Sequence, residues 1–99
     1  MTDTQAPEDV QVRRDGSRYV ATLDGRDVGS AYIQDDGGRT VFTHTEVDDA
    51  VEGRGVGSAL VASALDDVRD RGSRVVAQCP FVAAYVRRHP EYQDLLDPS

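Results

Sequence analysis

Residues 52–61 read EGRGVGSALV, a run in which three glycines alternate with other residues directly before an apolar helical pattern. The preceding segment, Arg39–Val47, reads RTVFTHTEV and has the alternation of a strand. After the glycines, apolar residues recur at the three- and four-residue intervals of one helix face, at Val56, Leu60, Val61, Ala64, Leu65 and Val68. The stretch therefore predicts a strand, a glycine turn and a long helix that ends at Gly72, a residue suited to the left-handed conformation.

The glycine turn has a chemical interpretation. Gly53, Gly55 and Gly57 let several backbone N–H groups point into one space at the positive end of the helix dipole, where a pyrophosphate can bind, and Arg54 adds charge. The spacing differs from G-x-G-x-x-G, and no lysine follows as in a P-loop. The residues alone leave two interpretations open, an anion site or a tight strand-to-helix turn without a ligand.

Upstream of this stretch the chain alternates between strand-like runs and turns. Three turn sequences, Asp15-Gly16, Asp24-Gly25 and Asp36-Gly37-Gly38, predict hairpins because Asp-Gly tolerates positive φ. We expect four antiparallel strands, at residues 10–14, 18–23, 28–34 and 39–47. Simple alternation would place Val28, Ser30 and Tyr32 on one face of the third strand, and would place Phe42 and His44 together on one face of the fourth.

Downstream, residues 74–78 form a short apolar run that predicts a fifth strand. A right-handed crossover through the long helix would set it parallel to the fourth strand. Pro80 suits the first position of a second helix at 81–88, and residues 92–96 add a short edge strand. The fold class is α+β, or α/β by looser naming, with a mixed and mostly antiparallel sheet.

Composition excludes several classes of function. The 99 residues carry 18 acidic and 11 basic side chains, a net charge of −7, and no lysine, so nucleic-acid binding and lysine-dependent chemistry are not expected. One domain at residues 9–99 after a flexible leader at 1–8 accounts for the length. With a single cysteine, no signal sequence and no membrane-length apolar run, we expect a cytoplasmic monomer or weak homodimer without membrane contact.

Cys79 and His44 are candidate catalytic residues. Cys79 directly precedes the predicted second helix, whose N-terminus favours a thiolate; the alternative is a small buried hydrophobe. His44 lies on the predicted fourth strand and is a candidate base; the alternative is a hydrogen-bonded strand residue that shapes a pocket. The scattered histidines and cysteine show no metal-ligand spacing, so no metal is expected.

Residues 52–61 resemble the coenzyme A pyrophosphate loop of the GCN5-related N-acetyltransferases, although Glu52 stands where glutamine or arginine is usual. Together with His44-Thr45, Cys79-Pro80-Phe81, Tyr85 and His89-Pro90-Glu91-Tyr92, they also resemble the short N-acetyltransferase-domain family within that superfamily. The resemblance covers about residues 12–96.

This resemblance implies a sheet whose fourth and fifth strands splay apart to admit the pantetheine arm of acetyl-CoA. It implies cofactor contacts at Val47, Gly53, Arg54, Gly55, Val56, Gly57 and Ser58. It also implies that Tyr85 protonates the leaving thiolate, where the alternative is a packing role, and that Cys79 either activates the acceptor or carries the acetyl group.

The expected acceptor is an amine on a protein, a peptide or a small cationic molecule. Asp15-Gly16 closes a hairpin where the superfamily carries helices, which leaves the acceptor side open, and Asp48, Asp49 and Glu52 either attract a cation or form a solvated loop. The alternative function is a noncatalytic acyl-CoA-binding or protein-interaction module.

Overall fold

Five strands and two helices make up the computed structural model, which describes residues 10–51 and 55–97. The expected leader at residues 1–8 lies outside the described residues. The sheet order is β1-β2-β3-β4-β5. The elements are β1 (Val10–Asp15), β2 (Arg18–Leu23), β3 (Arg26–Asp36), β4 (Arg39–Val47), α1 (Val56–Asp70), β5 (Arg74–Ala77) and α2 (Pro80–Arg88).

The three predicted hairpin turns are confirmed. β1 to β4 pair antiparallel in chain order. The turns place Gly16 at φ 62° and Gly25 at φ 80°, and Asp24 also adopts a positive φ of 53°. Asp-Gly is tolerated there because the short aspartate side chain and glycine both accept the left-handed region.

Two β-bulges, one in β3 and one in β4, change which residues of these strands face the core, contrary to the prediction. Ala21 pairs with Gly29 and Thr22 with Asp27, so Val28 is an extra residue in β3. The alternation shifts there, and Ala31 and Ile33 enter the core instead of Ser30 and Tyr32. The prediction of one face for Val28, Ser30 and Tyr32 is therefore wrong.

The second bulge lies in β4. Tyr32 pairs with His44 and Ile33 with Phe42, which leaves Thr43 as the extra residue. Phe42 is buried in the core, whereas His44 is exposed and stacks on Tyr32 at a ring-centroid distance of 6.0 Å. The prediction that His44 shares the face of Phe42 is wrong, because one added residue reverses the alternation.

β4 and β5 are parallel and then separate, as predicted. Their pairing runs from Arg39↔Arg74 to Phe42↔Ala77. The N–H groups of Gln78 and Cys79 both donate to the Phe42 carbonyl, at 3.0 and 2.9 Å, before the chain turns into α2. β4 continues to Val47, so its last residues extend past the end of β5.

Both helices pack on one face of the sheet and share one core. α1 contributes the six apolar residues predicted for its face, all of them buried. The helix ends in a Schellman motif: the Ser73 N–H donates to the Val68 carbonyl and the Gly72 N–H to the Arg69 carbonyl, with Gly72 at φ 72°. The predicted stop at Gly72 is confirmed.

The predicted edge strand at residues 92–96 is wrong. Pro90–Leu95 is a 3₁₀ helix, and a single parallel bridge, Val75↔Leu96, follows it. Tyr92 and Leu95 are buried, a three-residue spacing that a 3₁₀ helix places on one side. Arg69 holds this segment through Asp94 at 3.0 Å and the Glu91 carbonyl at 2.7 Å. Within the described residues, no helix has the length and apolar character needed to cross a bilayer.

Candidate functional site

A cavity of about 350 Å³ opens where β4 extends past β5. The end of β4, the N-terminus of α1 and the first turn of α2 enclose it, because the separation of β4 and β5 leaves this end of the sheet without a neighbouring strand on one side. The lining residues are Thr45, Val47, Val51, Gly55, Val56, Gly57, Ser58 and Phe81. Five of the seven predicted cofactor residues thus lie around one space, and Gly53 and Arg54 lie outside the described residues.

The α1 N-terminus supplies backbone donors to this cavity. The first helical hydrogen bond runs from the Ala59 N–H to the Gly55 carbonyl at 3.0 Å, so the helix itself provides no acceptor for the N–H groups of Val56, Gly57 and Ser58. Gly55 is the N-cap residue at φ 80° and ψ 11°, a left-handed conformation that favours glycine. Backbone N–H groups that lack an acceptor within the helix, at the positive end of a 15-residue helix, form an arrangement suited to an anion.

Gly57 meets the ring of Phe81 across the cavity. A Cβ atom at position 57 would lie 2.7 Å from the Cζ of Phe81, closer than van der Waals contact allows. Phe81 is 43% exposed, although most large apolar side chains described are buried. The ring therefore forms part of the cavity wall and is not a core residue.

Cys79 lies behind the cavity wall. Its side chain is 2% exposed, and its Sγ lies 3.3 Å from the Oγ1 of Thr45, which does line the cavity. Cys79 is the N-cap residue of α2, with Pro80 at the first helical position as predicted. The backbone bond to Phe42 and the contact with Thr45 thus fix the thiol against β4.

His44 is remote from Cys79. The bulge at Thr43 turns it to the sheet face away from the helices, where its Nε2 lies 3.0 Å from a carboxylate oxygen of Glu46. Both side chains are well exposed, so this pair contributes little to stability. The structure brings His44 together with Tyr32 and Glu46, and not with the thiol.

Tyr85 belongs to an aromatic cluster at the other end of α2. Its ring stacks on His89 with centroids 4.0 Å apart and lies 6.0 Å from the ring of Tyr92, whose hydroxyl donates to Asp66 at 2.8 Å. Burial, followed by the carboxylates of Glu91 and Asp66, raises the pKa of Tyr85, so its hydroxyl stays protonated at neutral pH. Tyr85 is not among the residues that line the cavity.

A second groove, of about 670 Å³, meets the first at Thr45 and Val47. It is open to solvent and is lined by residues from β2, β3 and β4 and the segment that follows β4. Among them Glu46, Asp48 and Asp49 are acidic and Arg18 is basic. The two grooves therefore approach the same two residues of β4 from different directions, and the second has an excess of negative charge.

Two residues of this arrangement, Thr45 and Phe81, belong to the motifs that carry the family resemblance, but the sequence indicated no role in the site for either of them. Thr45 reaches the thiol and the cavity only because of the bulge at Thr43, and a bulge has no reliable sequence signature here. Phe81 has a signal in retrospect: a large apolar residue next to Pro80 in the first turn of a helix, opposite an alternate-glycine turn. No group of three or more histidine, cysteine or acidic side chains placed to hold a metal occurs among the described residues.

Both the sequence and the fold are similar to those of known proteins. Residues 18–95 match the sequence model of a family described as GCN5-related N-acetyl-transferase. Protein NATD1 of Gallus gallus is 30% identical over 95 residues, which span 90% of this chain and 86% of that protein. NATD1 of Homo sapiens is 37% identical over 57 residues, 56% of this chain and 50% of that protein.

The solution structure of a GCN5-like protein from Staphylococcus aureus has the same fold. It superposes with a TM-score of 0.70 at 18% sequence identity, over 92% of this chain and 91% of that one. At this identity the likeness is one of fold, and it extends over most of both chains.

Proposed function

Because the chain belongs to the GCN5-related N-acetyltransferase family, we propose that it binds acetyl-CoA in the cavity between β4 and α1 and transfers the acetyl group to an amine. The observation that carries the proposal is the cavity itself. It joins the backbone N–H groups of the α1 N-terminus to the part of β4 that extends past β5. The pyrophosphate and the uncharged pantetheine arm of acetyl-CoA can therefore occupy one continuous space.

The residues of the cavity fit the two ends of acetyl-CoA. The N–H groups of Val56, Gly57 and Ser58 would hold the pyrophosphate, and Gly53 and Arg54 complete the proposed loop. Val47 and Thr45 of β4 would line the path of the pantetheine arm. Since the chain has no lysine, phosphate binding rests on backbone amides and arginine.

Two routes of transfer are open to this chain. In the covalent route, the Cys79 thiolate attacks the thioester carbonyl, the carbon–sulfur bond to CoA breaks, and the CoA thiolate leaves; the acceptor amine then attacks the new thioester and restores the Cys79 thiol. Exchange of one thioester for another is nearly balanced in energy. The contact of Cys79 with Thr45, a residue of the cavity wall, supports this route.

In the direct route, the amine attacks acetyl-CoA itself, His44 accepts the amine proton and Tyr85 protonates the CoA thiolate. The raised pKa of Tyr85 suits a proton donor. Against this route, His44 lies on the opposite sheet face from Cys79, and Tyr85 is stacked on His89 outside the cavity lining. The covalent route uses a thiol that contacts the cavity wall, and it requires Thr45 to move because Cys79 is buried behind it.

The acceptor would enter through the second groove. Its volume and its opening to solvent suit a protein tail, a peptide or a small amine, and Glu46, Asp48 and Asp49 favour a cation. It meets the cavity at Thr45 and Val47, so an amine in the groove approaches the same part of β4 as the acetyl group.

A noncatalytic acyl-CoA-binding module is the second candidate. The specific observation in its favour is the burial of Cys79, 2% exposed behind Thr45, together with the separation of His44 and Tyr85 from the cavity. Such a module would keep the cavity and its backbone donors without turnover.

Acetyl-CoA titration followed by two-dimensional NMR tests binding. We expect the amide signals of residues 55–58 to shift while those of the β1–β2 turn stay constant. An absence of shifts around residues 55–58 at millimolar ligand would contradict both the enzyme and the binding module.

Intact-mass measurement after incubation with acetyl-CoA tests turnover. A single acetyl adduct that disappears in Cys79→Ala supports the covalent route. Release of CoA that Cys79→Ala leaves unchanged and Tyr85→Phe abolishes supports direct transfer. If binding occurs but no acceptor amine reacts and neither variant changes the outcome, the protein is a binding module.

A further inference from the structure

A third groove, of about 500 Å³, lies beside β5, the last strand of the sheet. We call it the β5-edge groove; its lining includes residues 75–77 of β5, Ala83, Val86 and Arg87 of α2, and Leu96. Among the described residues, none lines both this groove and either of the two grooves of the proposed acetyl-CoA site. The β5-edge groove is therefore a separate feature that the proposed function does not use.

The walls of this groove are mainly apolar. Ala83, Val86 and Arg87 occupy positions i, i+3 and i+4 of α2, so the helix turns one stripe of its surface toward the groove. Leu96 adds an apolar side chain that is 36% exposed, although most large apolar side chains described are buried. Exposed apolar surface in a concave wall is typical of a place that another molecule covers.

The outer edge of β5 carries backbone groups that the sheet does not use. The Arg74 N–H donates to the Gly38 carbonyl at 3.0 Å, and the Gln78 N–H, directly after the strand, donates to the Phe42 carbonyl at 3.0 Å. The even-numbered residues thus turn their backbone groups toward β4. Because successive residues of a strand direct these groups to opposite sides, Val75 and Ala77 turn theirs to the outer edge.

The chain itself pairs with only the first part of this edge. Leu96 forms a parallel bridge with Val75, and the Asp97 N–H donates to the Val75 carbonyl at 2.9 Å. Beyond that bridge, no group outside the sheet is hydrogen bonded to Ala77 among the described residues. The N–H and carbonyl of Ala77 can therefore pair with one further extended segment.

Arg87 gives the groove an uncompensated positive charge. It is exposed, and none of the carboxylates described forms an ion pair with it. Arg39, the other arginine of the lining, pairs with Asp36 at 2.6 Å and with Asp97 at 2.9 Å. A carboxylate on a bound molecule would therefore find its counter-charge at Arg87.

These features favour one kind of occupant. An aliphatic chain would cover the backbone groups of Ala77 without bonding to them, which is unfavourable, whereas an extended peptide supplies both a donor and an acceptor. A second copy placed edge to edge would bring two arginine-bearing grooves together. In that arrangement the Leu96–Asp97 segments of both copies would also leave only Ala77 for pairing.

We propose that the β5-edge groove binds an extended, acidic segment of another protein. The backbone of the segment pairs with Ala77, an apolar side chain packs between α2 and Leu96, and a carboxylate meets Arg87. This is strand addition to a sheet edge beside a helix, in which backbone hydrogen bonds provide affinity and the side-chain contacts provide specificity. The site is independent of acetyl-CoA, so it can exist whether or not the proposed function is correct.

NMR titration of the isotope-labelled protein without acetyl-CoA tests the proposal. The probes are capped hexapeptides of threonine and valine in which one aspartate occupies each position in turn. With the best of them we expect shifts at residues 75–77, 83–87 and 96, and none at residues 55–58. The amide proton of Ala77 should move downfield because it gains an acceptor. The same peptide methylated on its backbone nitrogens should bind at least about tenfold more weakly.

Arg87→Gln and Arg88→Gln form a matched pair. Both arginines are exposed and adjacent on α2, and Arg88 is not among the groove residues. We expect Arg87→Gln to weaken binding of the aspartate peptide about fivefold and Arg88→Gln to leave it within about twofold. A peptide with asparagine in place of aspartate should bind wild type and Arg87→Gln alike, because it carries no charge for Arg87 to recognise.

Four outcomes would overturn the proposal. The first is the absence of shifts at residues 75–77 with every aspartate peptide at millimolar concentration. The second is octanoate binding in the groove as tightly as the best peptide, which would indicate a small carboxylate ligand. The third is a dimer without peptide that Leu96→Ala dissociates, which would make the groove an interface between copies. The fourth is an equal loss of affinity in Arg87→Gln and Arg88→Gln.

Discussion

The Oγ1 atom of Thr45 lies 3.3 Å from the Sγ of Cys79, and only the threonine of this pair lines a groove. The contact joins β4 to the N-cap of α2 across the point where β4 and β5 have separated. Thr45 therefore connects the buried thiol to the wall that both grooves share, and its side chain covers the sulfur on that side.

Replacing Thr45 should change the access of reagents to Cys79. In Thr45→Ala the wall is lost, and we expect iodoacetamide to modify the thiol about ten times faster, because a buried thiol reacts at a rate set by its exposure. Thr45→Val keeps the bulk and should stay within about threefold of wild type. Since Cys79 is the only cysteine, intact mass reports its modification directly. Equal rates in wild type and Thr45→Ala would show that the sulfur is reached by another path.

Tyr19 should make stability depend on alkaline pH. Burial and a 2.6 Å hydrogen bond to Asp67 raise the pKa of Tyr19 to about 12, so the folded state holds this proton more tightly than the unfolded state. The stabilisation is complete below pH 10 and is lost as the pH rises from 10 to 12. By pH 11 about half of this stabilisation is lost, on the order of 1 kcal/mol.

Tyr19→Phe isolates this effect from other tyrosines. Urea unfolding from pH 8 to pH 11 should show the advantage of wild type over Tyr19→Phe shrinking as the pH rises. An advantage that stays constant up to pH 11 would mean that the Tyr19–Asp67 bond does not control this proton.

The substitutions Gly29→Ala and Gly16→Ala should lower the free energy of unfolding for different physical reasons. A Cβ at Gly29 would lie 3.2 Å from the backbone carbonyl of Glu46 and 3.5 Å from the Cγ2 of Val47, so β3 and β4 must shift. We expect this crowding to lower the free energy of unfolding of Gly29→Ala by about 1–3 kcal/mol. At Gly16 a Cβ meets nothing within 4 Å, and the cost is the strain of φ 62°, about 1 kcal/mol.

Amide NMR spectra of these two variants distinguish the mechanisms. Gly29→Ala should move the signal of Val47 at the cavity, and Gly16→Ala should leave it in place. A Val47 signal unmoved in Gly29→Ala would contradict the close contact between β3 and β4.

The C-terminal 3₁₀ helix gives the neighbouring residues Leu95 and Leu96 different degrees of burial, so their replacement by alanine should destabilise the protein to different extents. Leu95 is 7% exposed and belongs to the core, whereas Leu96 is 36% exposed. Thermal or urea unfolding should show a loss of about 2–3 kcal/mol for Leu95→Ala and less than about 1 kcal/mol for Leu96→Ala. A larger loss for Leu96→Ala would indicate the alternation of an edge strand instead.

Much of the architecture follows from local sequence. The apolar spacing after Gly55, the glycine at position 72 and the Asp-Gly turns are local signals, and each predicts an element by the conformational preferences of a few adjacent residues. The crossover rule then sets β5 parallel to β4, because one long helix between two strands leaves one favoured connection. The separation of β4 and β5 came from the resemblance to a family, and the sheet pairing confirms it.

The sequence by itself determined the five strands, the two α-helices, their order and the backbone donors at the start of α1, since these depend on neighbours along the chain; it did not determine the 3₁₀ helix at Pro90–Leu95. The tertiary structure alone decided which side chains meet. A bulge at Thr43 turned Thr45 toward Cys79 and His44 away from it, and packing of α2 on α1 brought Phe81 over Gly57. Such contacts join residues 24 or more positions apart. A shift of one residue in strand register is enough to exchange them.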